Sequence, residues 1–118
     1  MRDFKKLIIW RAGSDLTKKV YQITRQFPED EKFGLTSQMR RASISIPSNI
    51  AEGCSRNSDV EYKRFLEIVI GSSFELETQL IIAHEIGYFE LHEISDLQEE
   101  IINLQKQISS LINRLKGR

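Results

Sequence analysis

Gln38-Met39-Arg40-Arg41-Ala42-Ser43-Ile44-Ser45-Ile46-Pro47-Ser48-Asn49-Ile50-Ala51-Glu52-Gly53 is the stretch that decides the fold. With Leu35 ahead of it, Met39, Ala42, Ile46 and Ile50 recur at steps of three and four, the period of one helix face. The spacing predicts a helix from Leu35 to Gly53, with Thr36 as its N-cap and Gly53 closing it before Arg56. Pro47 falls inside this helix and has no N–H to give the Ser43 carbonyl. An interior proline costs about 3 kcal/mol, so tertiary packing must offset it. The expectation is a kink, with the local serines or water serving the freed carbonyl. A helix carrying a proline, three serines, an asparagine and a glutamate is poorly optimised for stability alone, and this marks it for a packing or recognition role.

Working outward, three more helical patterns flank it. From about Leu7 to Gln26, the residues Ile9, Ala12, Leu16, Val20, Ile23 and Phe27 form one apolar stripe, while Lys18, Lys19, Gln22 and Arg25 lie off it. Phe27-Pro28 ends that helix, because the residue before a proline is pushed out of the α region. On the other side, Ser58-Asp59-Val60-Glu61 reads as a capping box opening a helix that runs to about Ile86 and stops at Gly87. Tyr62, Phe65, Leu66, Val69, Leu76, Leu80 and Ala83 give its first apolar face. Ile70, Phe74 and Ile81 give a second, and in a chain of few helices a second face predicts self-association. Ser95-Asp96-Leu97-Gln98 reads as a further capping box, followed by Leu97, Ile101, Leu104, Ile108, Leu111 and Leu115 in heptad spacing. No strand pattern survives. Short connections between long helices predict an all-α, antiparallel up-down-up-down four-helix bundle, one domain over residues 1–118.

Composition narrows the function. With 40% hydrophobic and 29% charged residues the chain reads as soluble and globular, and it has no run near the roughly 20 apolar residues that span a bilayer. Leu7-Ile8-Ile9-Trp10 is too short for a signal-peptide core, and Cys54 is the single cysteine, so the expected setting is cytoplasmic, with no membrane role. Net charge is zero, yet residues 1–64 hold 13 Lys/Arg against 8 Asp/Glu and residues 65–118 hold 4 against 9. Mutual neutralisation between oppositely charged helices or subunits is the reading preferred over a partner surface.

Chemistry finds little purchase. Neither His84 nor His92 has a glutamate three residues before it, as a di-iron bundle requires, and one cysteine with two histidines cannot make a zinc site of four Cys/His ligands. Neither a metal nor any other cofactor is expected. Asn49 and Glu52 share a helix face, but the structural reading is that Asn49 bonds backbone near Pro47 while Glu52 pairs with Arg41 or Arg56. Ser43, Pro47, Asn49 and Glu52 are therefore expected to be structural. Glu75 and Glu77, two apart on a helix, point in different directions and are expected to be separate ion-pair partners. No phosphate loop, nucleophile elbow or zincin motif occurs, so no enzyme is expected. Arg40, Arg41, Arg56, Lys63 and Arg64 are the candidate contacts for RNA, DNA or another partner, repeated around any ring that symmetry builds. Glu52, Asp59 and Glu61 lie among them, and no aromatic residues interleave as a stacking platform would want.

The run Gln38…Arg41-Ala42…Ser45-Ile46…Asn49-Ile50-Ala51-Glu52-Gly53…Arg56 resembles the signature of small bacterial four-helix bundle proteins. These are the intervening-sequence proteins, some of them encoded inside large-subunit ribosomal RNA genes. The likeness continues in Trp10…Val20-Tyr21…Phe27-Pro28-Glu29…Glu31…Gly34-Leu35, in Phe65-Leu66…Gly71-Ser72…Glu75-Leu76-Glu77, and in Gly87-Tyr88. The resemblance implies a homo-oligomer, typically a barrel-shaped pentamer with a central opening. Relatives include accessory proteins of diversity-generating retroelements, which bind nucleic acid and a reverse transcriptase and are strongly basic, unlike this chain. The resulting expectation is a non-enzymatic homo-oligomeric scaffold or adaptor, with Ile70, Phe74 and Ile81 and the Pro47 helix at the subunit interface. A nucleic-acid-binding accessory protein is the alternative.

Overall fold

Four α-helices account for most of the chain in a computed structural model that describes residues 2–117, and no strand occurs among the described residues. They are α1 (Ile8–Thr24), α2 (Leu35–Cys54), α3 (Asp59–Glu85) and α4 (Leu91–Lys116). Short 3-10 turns at Phe4–Lys6 and Glu29–Glu31 precede α1 and α2. Each helix packs on its sequence neighbours, and α1 also meets α4, which closes the square of a bundle 46 Å long and about 20 Å across. Cross-helix contacts fix the directions. Thr17 reaches Ser43 and Arg40 reaches Tyr21 and Thr24, so α1 and α2 are antiparallel. Ser45 meets Ser72 while Gly53 faces Tyr62 and Phe65, so α2 and α3 are antiparallel. Gln105 bonds Glu77 while His84 bonds the Phe89 carbonyl, so α4 turns back along α3.

The predicted stripes are the core: Leu16, Val20, Met39, Ile46, Ile50, Leu66, Leu76, Leu80, Ile101, Leu104 and Ile108 are almost wholly buried. At about 25 cal/mol per Å² of apolar surface removed from water, this burial is the main stabilising contribution. Lys18, Lys19, Gln22 and Arg25, off the α1 stripe, are exposed as expected.

Two helix starts differ from the sequence expectation. Thr36 does not cap α2. The helix begins at Leu35, whose N–H is taken 3.1 Å away by the Glu31 carboxylate, and Tyr88 donates to the other Glu31 oxygen at 2.6 Å. The bonds from Tyr88 and from Leu35 hold the Glu31 carboxyl below its usual value, and the bond to Glu31 pushes the Tyr88 phenol up to about 12. The α2 start, the α1–α2 connection and the α3–α4 turn are thereby tied together. Ser95 does not open α4 either: Glu90 and Glu93 form the capping box one turn earlier, and Ile94, fully buried, prolongs the heptad stripe backwards. Ser58 does cap α3, accepting from the Glu61 N–H at 3.2 Å, and Gly87 takes the left-handed conformation (φ 94°) that ends it.

Candidate functional site

The Pro47 helix runs unbroken, and the device that permits this comes from α1. Thr17 Oγ1 lies 2.9 Å from the Ser43 carbonyl, the group that Pro47 leaves without a donor, and 3.0 Å from the Gly13 carbonyl of its own helix. The hydroxyl is thus shared between a helix back-bond and the orphan acceptor. The partner found is this threonine of α1, where a neighbouring serine was expected, and Ser43 and Pro47 are buried against α1. Gly13 makes the approach possible: a Cβ there would stand 3.0 Å from Ile46 Cγ2 and 3.5 Å from Pro47 N. The Pro47 side of α2 is therefore packed against α1 of its own chain.

Ser43, Asn49 and Glu52 of α2 also find their partners within the chain. Ser43 Oγ donates back to the Arg40 carbonyl at 2.8 Å. Asn49 Nδ2 donates to the Ser45 carbonyl and hydroxyl, and Ser45 Oγ meets Ser72 Oγ of α3 at 2.8 Å. Glu52 pairs with Arg56 at 3.5 Å. Gly53 does not close the helix. It stays helical and buried, and α3 presses on it, since a Cβ there would lie 2.9 Å from Phe65 Cβ. Next to it Cys54 is buried, and desolvation pushes its thiol above the ordinary range, which keeps it protonated and unreactive. Among the described residues no group of three His, Cys, Asp or Glu side chains could hold a metal ion.

The five basic candidates do not form one cluster. Arg40 is half-buried: its Nε donates to Thr24 Oγ1 at 2.9 Å, its guanidinium lies over the Tyr21 ring, and it pins α2 to α1. Arg41 is exposed beside it, about 22 Å of helix away from Arg56 at 1.5 Å per residue. Arg56, Lys63 and Arg64 come together at the other end, where α2 ends and α3 begins. Arg56 is engaged by Glu52 and the Phe65 ring, whereas Arg41, Lys63 and Arg64 make no ion pair among the described residues.

Charge is sorted by the ends of the bundle, which the sequence halves concealed. Dividing each helix at its midpoint, residues 2–15, 45–72 and 104–117 lie at one end and hold ten Lys/Arg and six Asp/Glu. Residues 16–44 and 73–103 lie at the other and hold six Lys/Arg and eleven Asp/Glu. Residues 73–103 contain no Lys or Arg at all. Antiparallel packing brings the basic tail of α4 beside the basic start of α1, so the halves do not simply cancel.

The second face of α3 divides. Ile70 is half-buried against the chain's own core, but Phe74 is 56% and Ile81 40% exposed. Ile82 and Ile86 join them on the outer surface. Gly71 has open space around it.

Sequence reasoning missed Gly13 and Thr17. Their signal was present, since a glycine occupies a buried position of the α1 face among Ile9, Leu16 and Val20. It also missed the groove between the start of α1 and the end of α4, described below, which pairs positions too distant in sequence for periodicity to join.

A model of the 23S rRNA-intervening sequence protein family matches residues 5–110. The crystal structure of a protein of unknown function from the S23 ribosomal protein family of Bacteroides thetaiotaomicron VPI-5482 superposes with a TM-score of 0.80 at 18% identity. The match covers 89% of this chain and 98% of that one, and at this identity it speaks to fold alone. No curated protein matches this chain. No helix among the described residues is long and apolar enough to cross a membrane.

Proposed function

Because the chain belongs to the 23S rRNA-intervening sequence protein family, with the four-helix bundle fold described above, we propose that it is a non-enzymatic homo-oligomeric scaffold or adaptor working in the cytoplasm. One observation carries the reading: Phe74, Ile81, Ile82 and Ile86 stand 40–56% exposed along the outer side of α3. Large apolar side chains concentrated on one helix surface mark a protein interface. Pentameric stoichiometry is the form implied by the resemblance.

The test is light scattering of the wild type and of Phe74→Glu. A carboxylate at a half-exposed site leaves the isolated fold intact but would be desolvated in the assembly, so the variant should sediment and scatter as a monomer with unchanged helix content. An unchanged oligomer removes Phe74 from the interface, and a monomeric wild type removes the scaffold reading.

A second reading rests on the positive end of the bundle, where Lys63 and Arg64 make no ion pair among the described residues and ten Lys/Arg gather. An oligomer would repeat that surface, and phosphate contacts of this kind bind RNA or DNA without sequence preference. Anisotropy of labelled generic RNA and DNA separates the two. The scaffold reading expects no binding near physiological salt. Binding that persists there, weakens steeply as salt rises and is lost in Lys63→Gln/Arg64→Gln transfers the assignment to nucleic acid.

A further inference from the structure

An open groove of about 830 Å³ lies between the start of α1 and the end of α4. Leu7, Ile8 and Leu111 give it an apolar surface, Ile8 being 76% exposed. Lys6, Lys106 and Arg114 stand along it, none of them in an ion pair among the described residues, and no carboxylate of the described residues lines it. Its occupant should therefore be apolar in body and acidic at its edges.

The outer side of α3 is such a surface. On α3, residues 74, 75, 78, 81, 82, 85 and 86 are all exposed and share one side of the helix at its 3.6-residue period. Four are the large apolar residues Phe74, Ile81, Ile82 and Ile86, and Glu75 and Glu85 flank them. No Lys or Arg occurs between 73 and 103 to offset their charge. The lengths also agree: Phe74 to Ile86 covers about 18 Å of helix, and Lys106 to Leu115 along the groove about 14 Å.

We infer that the α1–α4 groove of one copy receives the acidic, apolar outer face of α3 from a second copy. The inference rests on the homo-oligomer reading and specifies its contact. The two surfaces are different patches on different helices, so the contact is heterologous: each copy offers one of each, and the assembly grows head to tail into a ring or a filament. Lys106 and Arg114 meet Glu75 and Glu85 at the edges while Ile8 and Leu111 take the isoleucines between. Desolvated charge pairs of this kind fix register and exclude mismatched approaches.

Charge reversal tests it. Lys106→Glu/Arg114→Glu and Glu75→Lys/Glu85→Lys each place like charges across the contact. Each pair alone should shift the species seen by light scattering from oligomer to monomer, with far-UV circular dichroism unchanged. The chain carrying all four reversals restores opposite charges at every contact and should return to the wild-type mass. A wild type that is itself monomeric overturns the homo-oligomer reading. A wild-type oligomer whose mass survives both reversed pairs overturns only this pairing and leaves the groove to another acidic partner. Disassembly by the pairs without recovery in the fourfold variant, at intact helix content, also overturns it. Should a reversed pair lose helicity, Lys106→Gln/Arg114→Gln reads the groove without introducing a new charge, and an unweakened oligomer there is equally contrary.

Discussion

Gly53→Ala should destabilise the protein by about 1–2 kcal/mol, even though replacing a glycine by alanine inside an exposed helix gains about 1 kcal/mol. The reversal of sign follows from the α2–α3 contact. A Cβ on Gly53 would stand 2.9 Å from Phe65 Cβ and 3.1 Å from Tyr62 Cδ1. Phe65 Cβ is held one bond from its backbone and cannot swing away, so the two helices must separate. Overpacking in such settings costs about 1–3 kcal/mol, which exceeds the propensity gain. Gly71→Ala is the internal comparison: nothing lies within 4 Å of its would-be Cβ, and that exchange should stabilise. Urea midpoints of the two variants should move in opposite directions, and a shared direction would mean that α3 does not press on Gly53.

Thr17→Val should cost about 1–3 kcal/mol, the usual penalty for leaving a buried acceptor without a donor. The exchange keeps the shape and removes the hydroxyl that serves the Ser43 carbonyl. The Gly13 carbonyl, its other partner, remains within the ordinary helix ladder of α1. The cause can be isolated with Pro47→Ala, which returns a backbone N–H to Ser43. In that background the same Thr17→Val exchange should lose most of its effect, a coupling of about 0.5–3 kcal/mol in a double-mutant cycle. Equal costs in both backgrounds would show that the threonine supports α1 alone.

These two glycine and threonine sites show where the sequence was legible and where it was not. Helical period gave the buried faces, because burial selects side chains at steps of three and four and nothing else in this chain competes with that pattern. It also gave α3 a surplus of apolar surface, of which Phe74 and Ile81 stand outside while Ile70 turned inward. Caps were less legible. Thr36 and Ser95 have the right chemistry, but Glu31 and Glu90 took the role, because a carboxylate arriving from the preceding turn reaches the same N–H groups. The spatial separation of the basic candidates was hidden for a different reason. Arg40 and Arg41 are neighbours in sequence, yet one is held half-buried by Thr24 and Tyr21 while the other is exposed. Only the partner helix separates them. The end-to-end sorting of charge was invisible to any count by halves, since it appears only once antiparallel helices are laid side by side.

The square arrangement of the helices has a consequence for how quickly the chain can find its fold. Three of its four seams join helices adjacent in sequence, through connections as short as residues 55–58 and 86–90. Closing them requires little of the search that distant contacts demand, and chains dominated by local contacts fold on the microsecond-to-millisecond scale. The fourth seam is the exception: Lys19 and Glu100, paired across α1 and α4, are 81 residues apart. Its loop-closure entropy falls to a modest value only after the first three seams have brought α4 back alongside α1. The connectivity thus predicts an order of assembly in which the α1–α4 side, groove included, forms last, and substitutions on that seam should speed unfolding far more than they slow folding.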